Sequence, residues 1–258
     1  MDARPAPNAL PPLRGRTVVI TRPAGTASAL ARQVRARGGV PLLLPGLALR
    51  AAVDPVATRA ACAAALDDEL LIFTSPAAVR FAARLLPLRT HAQVFAVGQG
   101  TAQLLRRHGV LAHAPAPGAS QDSDGLLALP SLRQLAGRRT ALVGAAGGRG
   151  VLREQLAARG ARLREVHVYR RLPPRLDRRH FGALAALPAD ACVLWSSVEA
   201  LQQLQRLLPA TAWAPLAAAV AVVSSERLAQ AARAAGFGRI QRAASALGAD
   251  LLAAAATR

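Results

Sequence analysis

Thr17-Val18-Val19-Ile20-Thr21-Arg22-Pro23-Ala24-Gly25 is the stretch on which the fold class turns. Its first five residues are a β-branched run of strand type, and the Pro and Gly behind them read as a loop. Ser28 to Arg37 then has helical character and stops at Gly38-Gly39. Strand, loop and helix form one unit, and the unit returns. Thr17–Gly39 overlays Arg139–Ala161 at an offset of 122, with Leu30 on Leu152, Gln33 on Gln155 and Gly38 on Gly160. At the same offset Ile72-Phe73-Thr74-Ser75 overlays Leu194-Trp195-Ser196-Ser197, and Leu85-Leu86-Pro87 overlays Leu207-Leu208-Pro209. Val97-Gly98 meets Val223-Ser224 at 126, the displacement a loop insertion produces. Three units in one order indicate an internal duplication, although a chain rich in Ala, Leu and Arg inflates such matches.

Working outward, further strand–helix units open at Leu70-Leu71-Ile72-Phe73, Val94-Phe95-Ala96-Val97, Thr140-Ala141-Leu142-Val143, Ala191-Cys192-Val193-Leu194-Trp195 and Val220-Ala221-Val222-Val223. Short strands alternating with helices imply parallel sheets covered on both faces. Two runs break the pattern. Val40–Leu49 carries Pro41 and Pro45, which exclude it from a sheet interior, and Val166–Leu172 is closed by Pro173-Pro174. Both read as linker strands. The expected fold is α/β, with two doubly wound, flavodoxin-like parallel-sheet lobes joined by a two-stranded linker. Residues 17–43 with 173–258 form one lobe, 50–165 the other, and 44–49 with 166–172 the linker. Residues 1–16, Pro-rich and without an apolar segment, are expected to be a disordered lead-in rather than a signal peptide. The uncharged run Leu207–Ser225 is about as long as a membrane span, but Pro209 and Pro215 make it a loop followed by a buried strand.

The chain has 258 residues, 52% hydrophobic and only 3% aromatic, enough for sizeable cores of Ala, Leu and Val. Its formal charge is +19, and all 33 basic residues are Arg. An Arg-only set fits a coding bias as well as it fits anion binding; taken as function, it selects an anionic partner such as a polycarboxylate or phosphate metabolite. Nucleic acid ranks last, because Arg is spread along the chain and is not interleaved with aromatics. Cys62 and Cys192 are too few for a disulfide framework or a zinc site, so a reducing, cytoplasmic location is expected.

The chemistry is expected at the strand ends. Thr74-Ser75, Gly98-Gln99-Gly100-Thr101, Gly147-Gly148, Ser196-Ser197 and Ser224-Ser225 each stand between a strand and a helix. In doubly wound sheets ligands bind there, against helix N-termini that offer unpaired N–H groups and a positive dipole end. The same residues are also ordinary N-caps, and both readings stand. Walker, dinucleotide-binding, paired-His and Cys-x-x-Cys signatures are missing. Asp67-Asp68-Glu69 and Asp122/Asp124 fall in predicted surface turns and read as solvated; His91, His108, His113, His167 and His180 are scattered and read as surface or helix-end residues. Tyr169, the one tyrosine, lies on the second linker strand, where it either packs or presents its phenol to a cleft between lobes as a hydrogen-bond donor or general acid.

Taken together, Ile20-Thr21-Arg22-Pro23, Pro45, Phe73-Thr74-Ser75-Pro76-Ala77-Ala78-Val79, Ala96-Val97-Gly98-Gln99-Gly100-Thr101-Ala102, Gly147-Gly148-Arg149 and Val168-Tyr169-Arg170-Arg171 resemble the uroporphyrinogen-III synthase family, from about Arg16 to the C-terminus. The resemblance implies a cofactor-free, metal-free lyase, monomeric and cytoplasmic, with no nucleic-acid or membrane partner. It implies a substrate, hydroxymethylbilane, that is a linear tetrapyrrole with carboxylate side chains. Tyr169 matches the family's linker tyrosine and is expected to assist hydroxyl departure, while Thr21, Thr74, Ser75, Gly98, Gln99, Thr101, Ser196, Ser197, Ser224 and Ser225 are expected to bind substrate. One departure from the family pattern is Gly144-Ala145, where many relatives carry Arg-Gly; if that Arg touches substrate, its role is lost here or moved to Arg149. The competing reading is a non-catalytic two-lobed binding protein for an acidic metabolite.

Overall fold

The structure, a computed structural model, describes residues 12–116, 118–147 and 150–257. In chain order its elements are β1 (Thr17–Ile20), α1 (Ser28–Ala36), β2 (Val40–Leu43), β3 (Ala48–Ala51), α2 (Pro55–Leu66), β4 (Leu70–Phe73), α3 (Pro76–Leu85), β5 (Gln93–Ala96), α4 (Gln99–Arg107) and α5 (Ser123–Leu127). A 3-10 turn, Pro130–Leu132, precedes β6 (Arg139–Ala145), α6 (Val151–Ala158), β7 (Arg162–Leu172), α7 (Arg178–Ala185), β8 (Cys192–Leu194) and α8 (Val198–Leu207). The chain ends with α9 (Ala210–Ala218), β9 (Val220–Val223), α10 (Glu226–Ala234), β10 (Ile240–Arg242) and α11 (Gly248–Ala256). It divides into two compact units: one runs to Ala48 and resumes at Leu172, and the other is Leu49–Arg171.

In the first unit the sheet order is β10-β9-β8-β1-β2, and in the second it is β3-β7-β6-β4-β5. The duplication pairs β1 with β6, β2 with β7, β8 with β4 and β9 with β5, so each sheet contains the same four-strand series. The first adds β10 at one edge, and the second adds β3 at the opposite edge. β1/β2, β1/β8, β8/β9 and β9/β10 run parallel in one sheet, as do β4/β5, β4/β6 and β6/β7 in the other. The third repeat unit is displaced by 127 residues rather than 126, since Gln93–Ala96 answers to Val220–Val223 and Gln99–Arg107 to Glu226–Ala234. Gly38 and Gly160, matched by the repeat, both lie in the left-handed region (φ 72° and 85°) where α1 and α6 end, a conformation that favours glycine.

Alternation along each central strand feeds two cores per unit. Leu71 and Phe73 of β4 pack with Ala141, Val143 and the α3 face, while Leu70 and Ile72 pack with Leu126, Leu135 and Leu156. In the first unit Val19, Val193 and Trp195 face one core, and Val18, Ile20, Cys192 and Leu194 face the other. Strands buried on both faces read as unbroken apolar runs.

Four expectations are revised. Val40–Leu43 is no linker but the edge strand of the first sheet. The Val40 N–H donates to Arg16 O (3.0 Å) and the Leu44 N–H to Ile20 O (3.1 Å), which turns Pro41, lacking an N–H, to the open edge. Val166–Leu172 likewise belongs to an eleven-residue strand, β7, inside the second sheet. Residues 13–16, expected within the lead-in, are part of the first unit. Leu13 is buried, its N–H donates to Arg37 O (2.8 Å), and Arg16 donates to Asp190 O (2.6 Å) and Ala255 O (2.6 Å); residues 1–11 lie outside the described region. Finally, the expected loop after Leu207 contains α9, which buries Ala212 and Leu216 against Leu184, Trp195 and Phe237 despite Pro215. Tertiary packing outweighs the helix-breaking tendency of that proline. No helix among the described residues is long and apolar enough to cross a membrane.

Candidate active site

The second unit holds a cavity of about 450 Å³ at the C-terminal ends of β4, β6 and β7, in the size range of small-molecule sites. Thr74 and Ser75 come to it from the end of β4. Gly144 and Ala145 come from β6, and Glu165, His167, Tyr169 and Arg171 from β7. Val97, Gln121, Asp122 and Arg153 complete the wall.

A bulge in β7 sets which part of the cavity wall Tyr169 joins. Gly144 pairs with His167 but Ala145 pairs with Tyr169, so Val168 is an extra residue in β7. Strict alternation places Tyr169 on the face of Glu165 and His167; the bulge moves it to the core face of Val143 and Val166. There its ring stacks on Phe81 of α3 (centroids 5.4 Å apart, planes 14° apart), and its hydroxyl lies 3.1 Å from Ser75 Oγ. Ser75 also N-caps α3, accepting from the Ala78 N–H at 3.1 Å. Tyr169 is 6% exposed, so its ring is held by the surrounding core. Burial and neighbouring Arg84 draw the guanidinium of Arg80, on the helix that carries Phe81, below the usual arginine range.

The charges on the wall are partly self-paired. Glu165 meets His167 Nε2 at 3.4 Å and Arg153 at 3.8 Å, while Asp122 caps α5 through the Asp124 and Gly125 N–H groups (both 3.1 Å). Arg171 donates to Ala146 O at 3.2 Å. The wall thus carries two arginines and two carboxylates, with Arg153 and Glu165 meeting each other.

Sequence-predicted residues divide three ways. Thr74, Ser75 and Tyr169 line the cavity together. Gly98, Gln99 and Thr101 belong to the same unit, but the N-terminus of α4 is closed by a neighbouring loop. The Gln99 N–H donates to Gln121 Oε1 (2.8 Å), the Gln99 side chain donates to Pro115 O (2.7 Å), and Thr101 is 3% exposed. Thr21, Ser196, Ser197, Ser224 and Ser225 sit at strand ends of the first unit. Thr21 is fully buried; its hydroxyl donates to Leu194 O (2.8 Å) and accepts from the Ser196 N–H (3.1 Å). Ser197 and Ser225 N-cap α8 and α10, accepting from Ala200 (3.1 Å) and Leu228 (3.3 Å). Gly148 and Arg149 lie outside the described residues.

With this geometry in hand, the chain can be set against known proteins. A family model described as uroporphyrinogen-III synthase HemD matches residues 28–252. The chain belongs to the uroporphyrinogen-III synthase family. Relatives named uroporphyrinogen-III synthase include one from Salmonella typhimurium, 30% identical over 238 residues, and one from Escherichia coli, 32% identical over 240; each match covers 86% of this chain and 92% of the relative. The fold matches crystal structures of uroporphyrinogen III synthase from Thermus thermophilus (TM-score 0.61, 22% identity, 92% of this chain and 96% of that one) and Helicobacter pylori (TM-score 0.58, 16% identity, 92% and 96%).

Gly144, in the cavity wall of this uroporphyrinogen-III synthase family member, is constrained sterically. A Cβ there would lie 2.5 Å from Thr74 Oγ1, so any side chain at 144 requires Thr74 to move. His167, expected as a surface or helix-end residue, instead lines the cavity from β7 with Glu165, which carries no motif; the two stand at alternate positions of one strand face, a signal present in the period of two. Arg153 gave no such signal, because its approach depends on where α6 packs. Asp68, expected in a solvated turn, is instead buried, with its carboxylate 3.1 Å from Arg164 and 3.6 Å from Arg139.

Proposed function

We propose that this chain is a cofactor-independent cyclising lyase that converts hydroxymethylbilane to uroporphyrinogen III, with loss of water and inversion of the terminal ring. The observation that carries the reading is a single phenol, Tyr169, held by Ser75 and Phe81 in the wall of a cavity bearing Arg153, His167 and Arg171, in a chain of this family. The hydroxymethyl carbon is bonded to an electron-rich pyrrole. The ring nitrogen's lone pair expels the hydroxyl while the Tyr169 O–H gives it a proton, so that water leaves. The resulting electrophilic carbon is attacked by the far terminal ring at its substituted carbon, giving a spirocyclic pyrrolenine. Fragmentation and re-closure invert that ring, and the proton lost on rearomatisation returns charge balance to the phenolate. Little else is asked of the protein than holding the chain ends together, which is itself a large rate term.

The cavity has room for a terminal ring and its acid side chains, which Arg153 and Arg171 would hold, with Thr74 and Ser75 lining the wall beside them. In the first unit, Ser197 and Ser225, at the N-termini of α8 and α10, are proposed as carboxylate contacts with Ser196 and Ser224 beside them; Thr21 backs Ser196 rather than touching substrate. A binding-only role is not favoured, because the family evidence points to the catalysed reaction. The reading extends to a monomer acting in the cytoplasm on a free metabolite. Incubation with enzymatically generated hydroxymethylbilane, followed by oxidation and isomer separation, tests it: the type III isomer is expected, and type I alone, the spontaneous product, refutes it.

A further inference from the structure

We propose that Ser75 is a positioning residue for Tyr169: it donates its hydroxyl hydrogen to the phenol oxygen and carries the polarity of the α3 N-terminus to that atom. The inference rests on the proposed acid role of Tyr169, but its structural half is independent of it.

At this distance either oxygen can donate, and the assignment of Ser75 as donor follows from what each must do. Ser75 Oγ already accepts from the Ala78 N–H (3.1 Å), and that donor sits in the first turn of a ten-residue helix. Acceptance from a helix N-terminus polarises the Ser75 O–H and makes it a better donor. Its partner at 3.1 Å is Tyr169, and the phenol hydrogen is then left to point into the cavity. In the opposite direction, with the phenol donating to Ser75, Tyr169 has no proton to offer a guest. As the phenol gives up its proton, the Ser75 hydrogen bond becomes charge-assisted and strengthens, which is the condition for lowering a barrier rather than only binding. Stacking on Phe81 fixes the ring so that the two oxygens stay in register.

The chain's single tyrosine permits a direct test. A fluorinated tyrosine that ionises nearer neutrality, incorporated throughout the protein, labels position 169 alone, and its phenolate absorbance can be followed below the range of alkaline unfolding. Ser75→Ala removes both the cap and the donor; Ser75→Asp keeps a strong N-cap but accepts only. Thermal midpoints follow the cap, with Ser75→Ala lower by about 3 °C and Ser75→Asp near the parent. Phenolate midpoints follow the donor: parent lowest, Ser75→Ala higher, Ser75→Asp highest. The other charged groups of the cavity wall (Asp122, Arg153, Glu165, His167 and Arg171), and Arg80 and Arg84 of α3, are common to all three proteins; Ser75→Asp adds a carboxylate that raises the midpoint further, so the parent against Ser75→Ala isolates the donor. In turnover, kcat falls about tenfold to a hundredfold in Ser75→Ala with KM changed far less, and Ser75→Thr recovers part of the loss. A phenolate midpoint in Ser75→Ala that is unchanged or lower overturns the inference. If the midpoints shift as stated but the parent yields only the type I isomer, the coupling stands and the functional reading falls.

Discussion

Replacing Gly144 by alanine probes the packing on which the cavity floor depends. Gly144 follows Val143 in β6, beside the end of β4, and an added methyl would sit 2.5 Å from Thr74 Oγ1, 3.5 Å from its Cγ2 and 3.6 Å from its Cβ. The Oγ1 contact must be relieved. Rotating Thr74 gives up the bond from its hydroxyl to Val143 O (3.2 Å), and parting the strands lengthens the bond from the Thr74 N–H to the same oxygen (3.1 Å). One lost hydrogen bond and mild overpacking together cost about 2 kcal/mol. Gly144 is not in the left-handed region, so alanine returns about 0.5 kcal/mol through the unfolded chain, and the net loss is about 1.5 kcal/mol. In a Thr74→Ala background the obstructing atom is gone and Gly144→Ala is expected to be neutral or slightly stabilising. In a Thr74→Val background a methyl takes the place of the hydroxyl, so the overpacking part of the cost remains while the hydrogen-bond part is already lost. Urea unfolding of the double-mutant cycles, fitted with a common slope, measures the coupling. An equal cost of Gly144→Ala in the Thr and Ala backgrounds refutes the steric account.

Tyr169→Phe keeps the ring stack and loses one hydrogen bond, so stability falls by only about 1 kcal/mol. Turnover to the type III isomer falls by at least about tenfold, and unchanged turnover excludes the acid role. Asp68→Asn breaks a pair whose carboxylate is 4% exposed but whose arginines are 45% and 58% exposed; solvent screening holds the loss to about 1–2 kcal/mol, and an unmoved urea midpoint counts against it. Burial raises both the Cys62 and the Cys192 thiols to about 11. Native protein at pH 8 therefore resists thiol-directed reagents. A raised folded value also means that stability present below about pH 9 is lost as the pH climbs through about 11. Cys→Ala at either site flattens that alkaline slope, and an unchanged slope refutes the assignment.

Several features were legible before any coordinates. Thr17–Ile20, Leu70–Phe73 and Val220–Val223 are strands because runs buried on both faces must be apolar throughout, and Ser75, Ser197 and Ser225 cap helices because their oxygens meet the first-turn N–H groups two or three residues on. The duplication was visible because glycines at helix ends and serines at caps are local necessities that repeat with the chain. These features depend on neighbours close in sequence. The phenol's placement does not. The bulge at Val168 is defined by which β7 residue pairs with Ala145, and only that register carries Tyr169 to Ser75, 94 residues away. The same holds for Asp68 between Arg139 and Arg164, for Gln121 closing the helix that begins at Gln99, and for Arg16 reaching Ala255. Periodicity follows from backbone sterics within a few residues. Register, bulges and the pairing of buried charges are set by hydrogen bonds between distant segments, so the alternation that reveals the strands would by itself leave the tyrosine beside Glu165 and His167 rather than packed on Phe81 and within reach of Ser75.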